Sequence, residues 1–116
     1  MANPVVHFEV VGKDVNNLQS FYGAIFDWKI ESVMPEYAMV HPGVGIEGGI
    51  GGSQDGGAGH VTFYVQVPDL EATLKEVEEQ GGKTVAGPMD VPGGPTIAMF
   101  TDPEGHLIGL IKEQVA

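Results

Sequence analysis

Two histidines and a glutamate are the residues of this 116-residue chain whose types and positions could do chemistry. His60 stands in Gly59-His60-Val61-Thr62-Phe63-Tyr64-Val65-Gln66-Val67, where apolar and polar residues alternate with a period of two. That alternation predicts a β-strand with Val61, Phe63, Val65 and Val67 on one side and His60, Thr62, Tyr64 and Gln66 on the other. His7 has a similar place in Val5-Val6-His7-Phe8-Glu9-Val10-Val11. There Val6, Phe8 and Val10 make the apolar face, and His7 and Glu9 share the opposite one. A histidine on the polar face of a strand has two uses, a hydrogen bond within a polar pocket or ligation of Zn, Ni, Fe, Mn or Co. A carboxylate completes a metal set, and Glu47 is the best placed. Glu9 shares a face with His7 and could orient its ring.

The elements that must position these residues follow in order. Asp14 is an N-cap candidate for a helix with Val15, Leu18, Tyr22 and Ile25 at helical spacing, ending near Asp27-Trp28. Lys29 to Val33 and Tyr37 to His41 read as strands, and Val44 to Ile50 as a short glycine-rich strand. Gly51 to Gly59, with five glycines among its nine residues and Ser53, Gln54 and Asp55 between them, reads as a flexible linker. The order then repeats. Asp69 caps a helix carrying Leu70, Leu74 and Val77, which Gly81-Gly82 stops. Lys83 to Ala86 is a strand, Gly87 to Gly94 a loop, Thr96 to Thr101 a strand, Asp102-Pro103-Glu104-Gly105 a tight turn, and His106 to Lys112 the last strand.

Each half is thus βαβββ, one over about residues 4–52 and the other over about 59–114. Matching residue types across the halves takes His7 to His60, Lys29 to Lys83, Ala38-Met39 to Ala98-Met99, and Ile46-Glu47 to Ile108-Gly109. Neither half buries much core alone, so the two should share one. In a pseudo-twofold pairing the helices would cover the valine and phenylalanine faces. His7 and His60 would then converge on a polar cavity lined by Glu9, Thr62, Tyr64 and Gln66, with Trp28 or Phe100 at its rim. Glu47 would supply the carboxylate, and its match Gly109 has no side chain to donate. His41, beside the Pro42-Gly43 turn, reads as an exposed loop residue, and His106 as structural.

Composition removes several function classes. Sixteen acidic residues against five lysines and no arginine give a formal net charge of −11. Phosphate backbones and anionic membrane surfaces call for clustered cations, so neither is an expected partner. No apolar run is long enough to span a bilayer, and Met1-Ala2-Asn3-Pro4 lacks the basic start and apolar core of a secretory signal. Without cysteine there is no disulfide framework and no thiolate metal site. A cytoplasmic location is the expectation.

The motifs resemble those of the vicinal oxygen chelate superfamily, the glyoxalase, bleomycin resistance and extradiol dioxygenase family. The likeness is carried by Val6-His7-Phe8-Glu9-Val10, Leu18 to Trp28, Gly59 to Val65, Gly81-Gly82, and Thr101-Asp102-Pro103-Glu104-Gly105-His106-Leu107-Ile108. The resemblance implies an α+β fold over residues 1–116, with two βαβββ modules as paired half-barrels joined by the Gly-rich linker, often in a homodimer. Metal-dependent members take ligands from the first and fourth strands of the modules, which implies His7, His60 and Glu47 here. The carboxylate usual on the final strand falls at Gly109, a departure that weakens a divalent metal site (Zn, Ni, Mn or Fe).

Two functions remain open at this point. One is a metal-dependent lyase, isomerase or dioxygenase in which the ion stabilises an enolate or oxyanion of a small substrate. The other is a metal-free protein that binds a small, drug-type molecule without catalysis. A third, in which a partner chain supplies the missing ligand, has less to recommend it.

Overall fold

The computed structural model describes residues 2–53 and 55–114. Gln54 of the expected linker and Met1 of the N-terminal stretch lie outside them, as do Val115 and Ala116. The fold is mixed α+β, with strands β1 (Val5–Gly12), β2 (Lys29–Met34), β3 (Tyr37–His41), β4 (Glu47–Gly52), β5 (His60–Val67), β6 (Lys83–Asp90), β7 (Thr96–Thr101) and β8 (Leu107–Lys112) and helices α1 (Val15–Phe26) and α2 (Leu70–Glu79). No helix among the described residues is long and apolar enough to cross a membrane. The chain divides into two compact units, His7–Thr62, and Phe63–Ala116 together with Met1–Val6. Bonds at the ends explain the division. Gln66 N–H donates to the Pro4 carbonyl, whereas Ser53 N–H donates to the Gly12 carbonyl.

In the His7–Thr62 unit the strand order is β2-β3-β4-β1. The first two pairings are antiparallel and β4 lies parallel to β1, with His7 opposite Glu47 and Glu9 opposite Gly49. α1 starts at Asp14, whose carboxylate accepts from Asn17 N–H at 3.0 Å, and it stops at Asp27 in the left-handed conformation. Its inner stripe of Val15, Leu18 and Tyr22 packs with Phe8, Val10, Trp28, Ile30, Val40 and Ile50. Trp28 is therefore a core ring, 5.3 Å from Phe8 and 5.8 Å from Tyr22, rather than part of a cavity rim. The glycines of β4 make room for rings. Phe8 covers Gly48, and Tyr37 covers Gly49 and Gly51 from the other side.

In the second unit the order is β5-β8-β7-β6, with β5 and β8 parallel. Asp69 caps α2 by accepting from Ala72 N–H at 3.0 Å, and Gly82 N–H returns to the Val77 carbonyl at its other end. Leu70 and Leu74 close a core of Val67, Ala98 and Leu110, against which Val65 and Phe100 pack. Phe100 too belongs to a core and not to a rim.

Four expectations need correction. β4 begins at Glu47, not Val44, because Gly43 and Gly45 both take positive φ and leave Val44 89% exposed. It also runs to Gly52, so the linker is shorter and hydrogen-bonded: Asp55 accepts from Ser53 Oγ at 2.6 Å and Gly57 N–H at 2.8 Å. β6 continues through Gly87 and Pro88 to Asp90, where a loop was expected. It ends the strand order and is bulged between Ala86 and Met89, the setting in which a strand tolerates proline. Finally, the apolar side of β5 is covered only at its end. Val61 is 73% exposed and Phe63 40%, while Thr62 and Tyr64 are buried, because the core under α2 begins at Val65.

The ladders also re-register the repeat. Met39 lies opposite Gly49 and Met99 opposite Gly109, while Glu9 lies opposite Gly49 and Tyr64 opposite Gly109. The counterpart of Gly109 is therefore Gly49, that of Glu47 is Leu107, and that of His7 is Thr62 rather than His60. The slide is two residues, which keeps every side chain on its own face and so leaves the alternation unchanged. Gly109 has a packing reason of its own, since Tyr64 covers it as Tyr37 covers Gly49.

Candidate functional site

Residues opposite one another in a ladder share a face. In the first unit one face thus carries His7, Glu9, Glu31, Tyr37, His41 and Glu47, and the other carries Phe8, Val10, Ile30, Val40 and Ile50 under α1. The polar face is connected by hydrogen bonds. Tyr37 Oη donates to Glu9 Oε2 at 3.2 Å, so the 3.2 Å contact between His7 Nε2 and Tyr37 Oη has the imidazole N–H as donor. His60 Nε2 donates to Glu9 Oε1, also at 3.2 Å. One chain of bonds then runs His7, Tyr37, Glu9, His60, with the Glu9 carboxylate as the common acceptor of tyrosine and His60.

Each member is placed by local structure. His7 and Glu9 are two apart on β1, so both face the same way. Tyr37 opens β3 after a turn in which Glu36 takes φ 60°, and its ring lies flat over Gly49 and Gly51. His60 follows Gly59, whose φ of 82° brings the chain against the Val11 backbone, where no side chain fits.

A second cluster lies beside the first on the same face. His41 Nδ1 is 2.7 Å from Glu47 Oε2, and its Nε2 is 3.0 Å from Glu31 Oε1. Carboxylate oxygens only accept, so a ring bonded at both nitrogens favours the imidazolium, and these bonds raise the His41 pKa. His41 is thus the last residue of β3 and clamped by two carboxylates, not a free loop side chain. His106 fits its structural reading, with Nδ1 2.9 Å from Asp102 Oδ2 while Asp102 Oδ1 accepts from the N–H groups of Glu104 and His106. Those backbone bonds hold the Asp102 carboxyl below its ordinary pKa.

Two of the histidines on the polar face, His7 and His41, have their pKa values moved in opposite directions. Burial lowers the pKa of His7 from 6.5, against the raising influence of Glu9 and Glu47. Hydrogen bonds donated to the Glu47 and Glu31 carboxylates raise that of His41 above 6.5. His41 therefore adds stability in full below 6.5 and loses it as pH rises through its folded value. His7 acts the other way, since below 6.5 the unfolded imidazole takes up a proton that the folded one resists. Nitrogen-detected imidazole spectra should show His41 doubly protonated and His7 neutral at pH 6.5, and a His41 midpoint at or below 6.5 would contradict the clamp.

Of the site residues expected from sequence, His7, Glu9 and His60 are brought together, and Glu47 stands next to His7 in the ladder with its Oε2 drawn to His41. Thr62 is buried in the same unit. Tyr64 and Gln66 belong to the second unit, Tyr64 buried over Gly109 and Gln66 half-buried. Tyr37, Glu31 and His41 were not expected at the site. The signal for Tyr37 was available in the glycine run of β4, because a glycine-rich strand marks the close approach of another group.

As to a metal, two imidazoles and a carboxylate are a suitable donor set. In the arrangement described, the Nε2 atoms of His7 and His60 face Tyr37 and Glu9, and Glu47 would have to leave His41 to join them.

Comparisons with known proteins point the same way as the fold. A glyoxylase-like domain-containing protein of Didymella fabae is 28% identical over 111 residues, covering 84% of each chain. The anthracycline biosynthesis protein DnrV of Streptomyces peucetius is 36% identical over 67 residues, which are 58% of this chain and 24% of that one. This chain therefore spans about a quarter of the length of that longer relative. Among solved structures, methylmalonyl-CoA epimerase from Mycobacterium tuberculosis superposes with a TM-score of 0.69 at 16% identity, covering 96% of this chain and 88% of that one, a likeness of fold. The family model of the Glyoxalase/Bleomycin resistance protein/Dioxygenase superfamily matches residues 5–110, nearly the whole length, and this chain belongs to that superfamily.

Proposed function

We propose that this chain binds a small molecule on the strand face that carries His7, Glu9, Tyr37 and His60. The observation behind this reading is the unbroken chain of hydrogen bonds through those four side chains. Glu9 accepts, whereas Tyr37 and both histidines donate. A ligand with neighbouring oxygens can take over these internal bonds: its oxygens accept from the histidine Nε2–H groups while a hydroxyl donates to Glu9. Side chains fixed on strands lose little freedom when they hold such a ligand. The names of the relatives, a glyoxylase-like protein and an epimerase, support small carbonyl compounds as the class to try first.

A divalent metal on the same face is the second reading, and the ladder favours it by making His7 and Glu47 direct neighbours. Burial lowers the His7 pKa and so favours the neutral imidazole, the form that ligates. His7, Glu47 and His60 would hold Zn, Ni, Mn or Fe, and the bound ion would supply Lewis-acid stabilisation for lyase, isomerase or dioxygenase chemistry.

One experiment separates the readings. Elemental analysis of natively purified protein is paired with melting curves in Zn, Ni, Mn or Fe and in a panel of small hydroxy-acids and dicarbonyls. A ligand at about a hundred times its Kd stabilises by about 2.7 kcal/mol. The metal-free reading expects a rise in Tm with a compound alone and none with metal, lost in the His7→Ala/His60→Ala double variant. Stoichiometric metal that disappears in the double variant selects the second reading. If the double variant matches the parent in both assays, this face is not the binding site.

A further inference from the structure

Glu47 stands opposite His7 in the ladder, yet its carboxylate is engaged on the other side of its strand. Its Oε2 lies 2.7 Å from His41 Nδ1, and the far end of the same ring is tied by the 3.0 Å contact between Nε2 and Glu31 Oε1. A ring tied at both ends cannot turn without losing one of its carboxylates, so each contact fixes the geometry of the other. Because β4 lies between β3 and β1, Glu47 leans towards one neighbour or the other: towards His41, where it is, or towards His7. It has room to change over, with its side chain 56% exposed against 13% for Glu9. Glu9 is packed in place, whereas Glu47 is held by His41.

The fold does not require this clamp. Met39 and Met99 hold equivalent places, opposite Gly49 and Gly109. Counted from them, the places of Glu31, His41 and Glu47 are taken in the second unit by Ala86, Thr101 and Leu107. The same ladders close there with three residues that cannot form an ion pair. The clamp belongs to the unit that carries His7, Glu9 and His60.

We propose that His41 is a latch on Glu47: anchored by Glu31, it draws the carboxylate towards β3 and so withholds it from a divalent metal at His7 and His60. This rests on the metal reading of the polar face and adds to it a positioning residue that acts against binding. Metal and His41 then compete for one carboxylate, and cutting the latch should tighten metal binding.

Isothermal titration of the full chain with Zn and with Ni, at pH 7 in about 0.5 M NaCl, tests this, because the salt screens charges that do not touch. His41→Phe keeps a ring of similar shape without its N–H groups. It should bind metal roughly fivefold to tenfold more tightly than the parent, the scale expected for losing an exposed but doubly tied ion pair. His41→Ala provides a second variant should phenylalanine disturb the loop 42–46. Lys29→Gln removes an exposed cation opposite His41 in the ladder and should change affinity by less than about twofold. In the His7→Ala/His60→Ala background the gain should vanish. A tie that merely closes the loop would lower the Tm when cut and leave metal affinity where it was. Equal affinities in the parent and both His41 variants, or a gain as large in Lys29→Gln, overturn the latch and leave the metal reading standing. A gain that survives in the His7→Ala/His60→Ala background, or no binding by any variant up to millimolar metal, overturns both.

Discussion

Replacing Gly59 with alanine is expected to destabilise the chain by about 3 kcal/mol or more, and to disorder the site with it. Two costs combine at this position. A left-handed conformation, φ 82°, costs a residue with a Cβ about 1–2 kcal/mol. The new Cβ would also fall on the Val11 carbonyl, a backbone atom that cannot rotate away. Gly56 separates the two costs, because its φ is 73° and a Cβ there meets nothing within 4 Å. Gly56→Ala should therefore show the conformational cost alone, about 1 kcal/mol. Urea melts of both variants check the difference, and equal losses would mean that the approach to Val11 is not as tight as described. Because His60 is the next residue, Gly59→Ala should also weaken whatever the polar face binds.

The second large effect is expected at Glu9, whose side chain is 13% exposed. Glu9→Ala removes the acceptor of both Tyr37 and His60 and should cost about 2 kcal/mol, since hydrogen bonds to a charged group are the stronger kind. Ligand or metal affinity should fall roughly tenfold to a hundredfold, the usual penalty for removing a carboxylate that orients a histidine. Glu9→Gln has nearly the same shape but offers a donor where one partner needs an acceptor, so it should behave almost as badly. An independent readout is available at His7. Glu9 raises the His7 pKa, so its loss should move the imidazole titration further below 6.5. An unmoved titration would show that Glu9 and His7 do not sense each other.

How far the sequence alone led depends on the range of the interactions. The helices were legible because their signals are local: an aspartate cap, a stripe every three or four residues and, for α2, a glycine stop. β6 was not, since Gly87 and Pro88 are breakers except on a bulged strand at the end of the order, and that place is a tertiary fact. The site divides in the same way. His7, Glu9 and His60 were readable from alternation within single strands. The partnerships of Tyr37 with Glu9, and of His41 with Glu31 and Glu47, depend on which strand lies beside which, and alternation does not fix that. The repeat was misaligned by two for the same reason. A conspicuous residue type, histidine, was matched to histidine, although Phe8 with Phe63 and Val10 with Val65 give the alignment that the ladders follow.

The parallel pairing of β1 with β4 has a kinetic consequence. β2, β3 and β4 follow one another through short turns, so their antiparallel ladders close small loops and should form early. β1 meets β4 only after a loop of about 40 residues, α1 included, has closed, and this pairing brings His7 beside Glu47. The polar strand face should therefore be among the last features of its unit to appear during refolding. Core substitutions in the β2-β3-β4 meander, such as Val40→Ala, should slow folding, whereas Val10→Ala on β1 should mainly speed unfolding.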